Sequence, residues 1–280
     1  MDIFEIFHQG NRNQKTQHHM KKAFMLVLLC LCMACGTEKQ ADRDISLVTS
    51  DEFISEHLGE QLMILDRHTR EMIAEHGEES PRNRPVSPRS LDAQGELSVV
   101  PSSDWCSGFY PGCLWLMVEL TGEEQWATLA RDYTEPLERE KTNASTHDMG
   151  FKMMCSFGNG YRLKGDTGYR DILIESARTL ITRYNENVGC IRSWDFDRDV
   201  WQFPVIIDNM MNLELLFWAT RETGDSIYHQ IAEQHALTTM QNHFREDQSS
   251  YHVIDYDTIT GEILHRHTHQ GYSHESAWSR

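Results

Sequence analysis

The sequence predicts an all-α protein built as a toroid of helical hairpins, and three observations carry that prediction. A six-residue motif recurs three times; each copy lies between two stretches of helical character; and in each pair the first stretch is almost wholly apolar, whereas the second is amphipathic. An apolar helix needs cover on both sides and an amphipathic one keeps a wet face. Inner helices ringed by outer ones satisfy both.

The motif copies are Thr121-Gly122-Glu123-Glu124-Gln125-Trp126, Lys164-Gly165-Asp166-Thr167-Gly168-Tyr169 and Thr223-Gly224-Asp225-Ser226-Ile227-Tyr228. Inner stretches run from Gly108 to Leu120, Met149 to Leu163 and Ile206 to Arg221, rich in Leu, Met, Phe and Trp. Outer stretches run from Trp126 to Glu140, Tyr169 to Tyr184 and Tyr228 to Phe244, with apolar residues at about the helical period among charges. Each motif glycine suits the left-handed backbone that ends a helix, and the Asp, Glu or Ser after it helps start the next. A further helix is expected over Asp51 to His76 as an outer partner. Together these make seven helices against the twelve of a closed six-hairpin ring, and Trp278-Ser279-Arg280 carries no closing signal, so the chain reads as truncated at its C-terminal end. An open helical solenoid is the alternative architecture.

Composition narrows the function. With 39% hydrophobic and 25% charged residues the chain suits one sizeable soluble domain, and a net charge of −17 argues against a nucleic-acid partner, whose phosphates call for clustered Lys and Arg. Met20-Lys21-Lys22, an apolar run from Ala23 to Ala34, and then Cys35-Gly36-Thr37 describe a secretory signal. Cys35 after Ala34 resembles a bacterial lipoprotein box, with Cys32 where such boxes usually carry Leu; a plain signal cut near Ala34 is the alternative. The expected organisation is a spurious extension over 1–19, a lipoprotein signal peptide over 20–34, a polar tether over 35–47, and a partial catalytic domain over 48–280. The protein would then be exported and held at a membrane only through a lipid anchor, in the periplasm or at the outer membrane. Cys106, Cys113, Cys155 and Cys190 show no zinc spacing and read as buried thiols, although export would permit a disulfide.

The repeat also places chemistry. Since the motif glycines mark one rim of the ring, segments preceding the inner helices share the opposite rim. Measured back from those glycines, Asp148 and Asp208 occupy almost the same phase, and Cys106-Ser107 holds it in the first repeat, beside Asp104 and Trp105. Two carboxylates therefore enter the mouth side by side, among His147, Trp105, Trp194 and Trp201. Asp208 sits within Val205-Ile206-Ile207-Asp208-Asn209-Met210-Met211, where apolar neighbours should desolvate it and raise its pKa toward that of an acid catalyst. The plainer reading of either aspartate is a helix cap, which suits Asp148 better. Long connections over 187–204 and 249–280 lie on the same rim and offer flat aromatic faces and polar partners to a sugar. His265-Arg266-His267-Thr268-His269 would set histidines on one side of a strand, but a zinc reading lacks a helical pair with a general base, and Arg266 repels a cation.

Four ordered motifs carry a family resemblance. Trp105-Cys106-Ser107-Gly108-Phe109-Tyr110-Pro111-Gly112, His147-Asp148-Met149-Gly150-Phe151, Ile207-Asp208-Asn209-Met210-Met211-Asn212-Leu213 and His267-Thr268-His269-Gln270-Gly271-Tyr272-Ser273 resemble the unsaturated glucuronyl hydrolases, glycoside hydrolase family 88. Ser276-Ala277-Trp278-Ser279-Arg280 resembles the start of a further family motif.

The resemblance implies an (α/α)6 barrel and hydration of the vinyl ether in a 4,5-unsaturated uronate, releasing it from lyase-generated oligosaccharides of glycosaminoglycan type. It implies Asp208 as acid/base, Asp148 as its assistant, His252 and Gln270 near the water, Trp105, His147 and Trp194 lining the sugar subsite, and Trp278 and Arg280 completing it. It implies no metal or organic cofactor. His274-Glu275 departs from the acidic pair expected before Ser276, which leaves substrate preference open. A rhamnogalacturonide-type hydrolase of the same fold, a conventional inverting glycosidase, and a sugar-binding lipoprotein without turnover are the alternatives, and oligomeric state is not addressed by the sequence.

Overall fold

A computed structural model describes residues 50–75, 83–270 and 272–276. The expected extension, signal peptide and tether, with Cys35, and the residues Trp278 and Arg280 lie outside the described residues.

The described chain opens with helix α1 (Ser50–Glu75), close to the expected bounds. Leu62, Asp66 and Thr69 recur on its buried face, and its Leu62 carbonyl accepts from the Tyr110 hydroxyl at 2.9 Å. An unforeseen antiparallel hairpin follows, β1 (Pro85–Leu91) on β2 (Leu97–Pro101). The first helical hairpin is α2 (Phe109–Thr121) and α3 (Glu124–Thr134), extended by a 3-10 segment over Glu135–Thr142. The second is a π-helical segment, Gly150–Gly158, running into α4 (Asn159–Lys164), paired with α5 (Thr167–Ile181). After the two-residue strands β3 (Tyr184–Asn185) and β4 (Cys190–Ile191), strand β5 (Pro204–Ile206) leads through a 3-10 turn, Ile207–Asn212, into the third hairpin, α6 (Leu213–Thr223) and α7 (Ser226–Asn242).

The repeat is therefore structural. Gly122, Gly165 and Gly224 each end the first helix of a pair with φ of 73°, 70° and 75°, a left-handed backbone that costs a Cβ-bearing residue energy. Asp166 and Asp225 cap the helices that follow, accepting from backbone N–H groups of Gly168 and Ile227. Glu123 does not cap; its longer side chain turns to the Gln125 amide instead.

The hairpins share one core, with Leu114, Trp115, Met149, Met153, Phe157, Leu173, Leu180, Leu215 and Leu216 all buried. Cover of the inner helices is incomplete: on α2 the stripe of Leu116 and Leu120 stays exposed while the rest of the circumference is packed. The fold is mostly α, three consecutive hairpins of the (α/α)6 architecture. Among the described residues, the expected loop over 249–280 instead contains β6 (Val253–Tyr256) and β7 (Ile263–His267), which add to β5 as an antiparallel sheet in the order β5-β6-β7. Cys106, Cys113, Cys155 and Cys190 are free thiols.

Candidate active site

The sheet and the second hairpin deliver the two aspartates to one place. Strand β5 ends in the turn that carries Asp208, and the turn is tied to the sheet by Ile207 N–H donating to the His252 carbonyl at 2.9 Å. Asp148 stands just before the π-helical segment. The two segments approach closely because Gly150 has no side chain: a Cβ there would lie 2.6 Å from Asn212 Cα. The contact is fixed by Phe151 N–H donating to the Asn212 side-chain oxygen at 3.1 Å. π-Helical turns of this kind often occur where a side chain must be re-aimed at a site.

His147 joins the carboxylates. Its Nε2 lies 3.2 Å from Asp148 Oδ1 and 3.2 Å from Asp208 Oδ1, while Nδ1 lies 2.7 Å from the Ser193 carbonyl. A carbonyl only accepts, so Nδ1 carries a proton; an ionised carboxylate only accepts, so Nε2 carries one too. The ring is thus placed to be an imidazolium. Burial opposes that charge, but the Asp148 carboxylate and then Asp208 outweigh it and hold the pKa above the ordinary histidine range.

The carboxylates are unequal. Asp148 is 16% exposed and also accepts from the Thr146 hydroxyl at 2.6 Å, whereas Asp208 is 43% exposed. The expected desolvation of Asp208 is not there, because its apolar neighbours Val205 and Ile206 turn into the core while the aspartate faces outward. Neither side chain caps a helix. At the equivalent position of the first repeat, burial first and the adjacent Asp104 second push the Cys106 thiol up to about 11, which disfavours the thiolate.

The other expected residues gather around this pair to different degrees. Trp105 is exposed and meets Phe109 and Phe151 edge-on, at ring separations of 5.6 and 6.0 Å, which sets it beside the segment that follows Asp148. Trp194 follows Ser193 but is itself buried, stacked at 5.2 Å under Phe196. The exposed aromatic face in that stack therefore belongs to Phe196, which sequence reasoning missed. His252 is buried, and its Nδ1 accepts from His269 N–H at 3.1 Å. Gln270 is exposed in the turn after β7, its carbonyl accepting from the Thr268 hydroxyl. Ser193, Thr146, Asn209 and Asn212 were also missed. The two asparagines had a signal, since polar side chains inside an apolar run must find partners. Ser193 had none, because its carbonyl rather than its hydroxyl holds His147.

His265 and His267 do alternate along a strand, yet both pack against Trp201, at 5.2 and 5.7 Å. Among the described residues no group of three or more His, Cys, Asp or Glu side chains is arranged to hold a metal ion.

No family model matches the chain. It is 50% identical over 231 residues to an unsaturated glucuronyl hydrolase of Formosa agariphila, covering 80% of this chain and 56% of that protein. It is 34% identical over 185 residues to an unsaturated chondroitin disaccharide hydrolase of Streptococcus pneumoniae, covering 65% of this chain and 47% of that one. A crystal structure of an unsaturated glucuronyl hydrolase specific for heparin superposes with a TM-score of 0.71 at 43% identity, over 81% of this chain and 58% of the other. The chain spans about half the length of the curated relatives it matches. Half of the residues shared across four-fifths of the chain, on a common fold, make this protein a member of the unsaturated glucuronyl hydrolase family, glycoside hydrolase family 88.

Proposed function

We propose that this chain carries the acid/base centre of a hydrolase that releases a 4,5-unsaturated uronic acid from the non-reducing end of lyase-generated, glycosaminoglycan-type oligosaccharides. The observation that supports this reading most is the meeting of Asp148 and Asp208, from different hairpins, on one buried histidine. The heparin and chondroitin preferences named for two relatives support the substrate class.

In this reading Asp208, the more exposed carboxyl group, takes up the proton that His147 Nε2 holds against it and gives it to C4. The C4–C5 double bond supplies the electron pair, and cationic charge develops at C5, shared with the ring oxygen. Water adds at C5 and returns a proton to Asp208. The hemiketal then opens by breaking the bond from C5 to the ring oxygen, and the sugar on C1 leaves as an alcohol. Because the two proton transfers are sequential, one carboxyl group serves both, and the spacing that conventional glycosidases need between two carboxylates is not required. Asp148, held by Thr146 and His147, keeps a negative charge beside the developing cation. Trp105, His252, Gln270 and the Phe196 face that Trp194 backs bind the sugar or water, with Trp278 and Arg280 completing the uronate subsite. Cys35 is lipidated in this reading, which tethers the exported domain to a membrane in the periplasm or at the outer membrane.

The test is turnover of an unsaturated chondroitin or heparin disaccharide by the full-length gene product, followed as loss of vinyl-ether absorbance. Asp208→Asn is expected to slow it at least about 100-fold, the scale of a lost acid/base group. Turnover near the wild-type rate in that variant would contradict the assignment.

A further inference from the structure

Behind the carboxylates runs a buried seam that the proposed chemistry does not use. Helix α7 carries His235, whose side chain is wholly buried. Its Nδ1 accepts from the Ile191 N–H at 3.0 Å. A protonated nitrogen cannot accept, so Nδ1 is bare and the ring is neutral, with its proton on Nε2. Burial, helped by the nearby His243 and His147, pushes its pKa down to about 3, which keeps it in that form at working pH.

The opposite side of Ile191 is held as well. Its carbonyl accepts from the Asn209 side-chain amide at 2.8 Å, and Asn209, fully buried, is the residue after Asp208. Two residues further along, the Ser193 carbonyl holds His147 Nδ1, while the Ser193 hydroxyl accepts from Ile206 N–H at 2.9 Å. Residues 191–193 thus form a strut. One end fixes the turn that carries Asp208, the other fixes the histidine that bridges both carboxylates, and His235 pins the strut to α7.

These bonds come at a cost. His235 Nε2 and Asn209 Oδ1 are buried with no protein partner among the described residues, a penalty that an apolar side chain at either position would avoid. What each polar residue supplies in return is its single bond to Ile191.

We propose that His235 is a positioning residue for the acid/base: through the Ile191 peptide and Asn209 it holds Asp208 in register with His147 without touching substrate. This rests on the reading of Asp208 as acid/base.

The experiment compares His235→Leu, His235→Gln, Asn209→Leu and the double variant His235→Leu/Asn209→Leu with Asp208→Asn, all in the full-length protein on an unsaturated disaccharide. Leu fills the space without an acceptor, so kcat should fall about 10-fold with KM within about twofold, the scale of one lost hydrogen bond. Gln offers an oxygen to Ile191 N–H and should recover most of the loss. The double variant should be no slower than the slower single one, because both residues act through one peptide. If His235→Leu does not fold, Asn209→Leu reads the same link from its other end. The proposal is overturned if the folded variants keep wild-type kcat, if kcat falls only with the folded fraction, or if the two losses multiply independently. Wild-type kcat in the Leu variants beside an inactive Asp208→Asn would sink the positioning role alone. Retained turnover in Asp208→Asn would sink both readings.

Discussion

The rim site and the core beneath it each bury histidine, and they set its charge in opposite directions. His147 sits between two carboxylates that hold its pKa above the ordinary histidine range. His235 and His243 are at least as buried but meet no carboxylate; burial comes first among the causes that push them down to about 3 and about 4. Depth alone therefore does not decide the charge of a buried imidazole. What decides it is whether anions share the cavity.

The largest expected effect tests the core. His235 and His243 are neutral when folded and free to take a proton near pH 6.5 when unfolded, so the unfolded chain binds more protons in acid. Their contribution is complete above about pH 6.5 and is lost as pH falls toward 4, on the order of 3 kcal/mol for each. Thermal unfolding followed by circular dichroism should show a steep fall in Tm across that window, flattened in His243→Leu. His147 has the opposite sign: its contribution is complete below pH 6.5 and is lost as pH rises through its elevated folded value.

The next effect tests the rim. His147→Leu leaves two carboxylates facing each other with no donor between them, and a lost bond to a charged group of about 1.5–3 kcal/mol corresponds to a kcat about 10- to 100-fold lower. Steady-state kinetics should show that loss with the fold intact. The smallest effect tests what brings the carboxylates together. Gly150→Ala forces a methyl group against the Asn212 backbone and should cost about 1–3 kcal/mol in denaturant titration, with turnover falling as the Asp208 turn is pushed away from His147.

The helical scaffold was legible because each hairpin announces itself twice, in its apolar period and in the glycine that ends its first helix. Asp148 and Asp208 were legible as partners because they share a phase of that repeat. The sheet was not, since β5 has three residues and β6 four, too short for alternation to emerge from a run that also reads as loop. The outward aim of Asp208 was hidden for the same reason, since the direction of the turn depends on how β5 joins β6. His235 could have been suspected, standing with Ile231, Ala232 and Thr239 on the buried stripe of an amphipathic helix. What it bonds to lay beyond sequence, because the partner is a backbone N–H.

The central claim is that one buried imidazolium bridges the two carboxylates. Nitrogen chemical shifts of the His147 ring, followed through a pH titration of the full-length protein and of Asp148→Asn and Asp208→Asn, test it directly. The account predicts a ring that gains its second proton with a pKa above 6.5, lowered in either variant. A ring that titrates at or below 6.5 in the wild-type protein, or one whose titration ignores both substitutions, would contradict it.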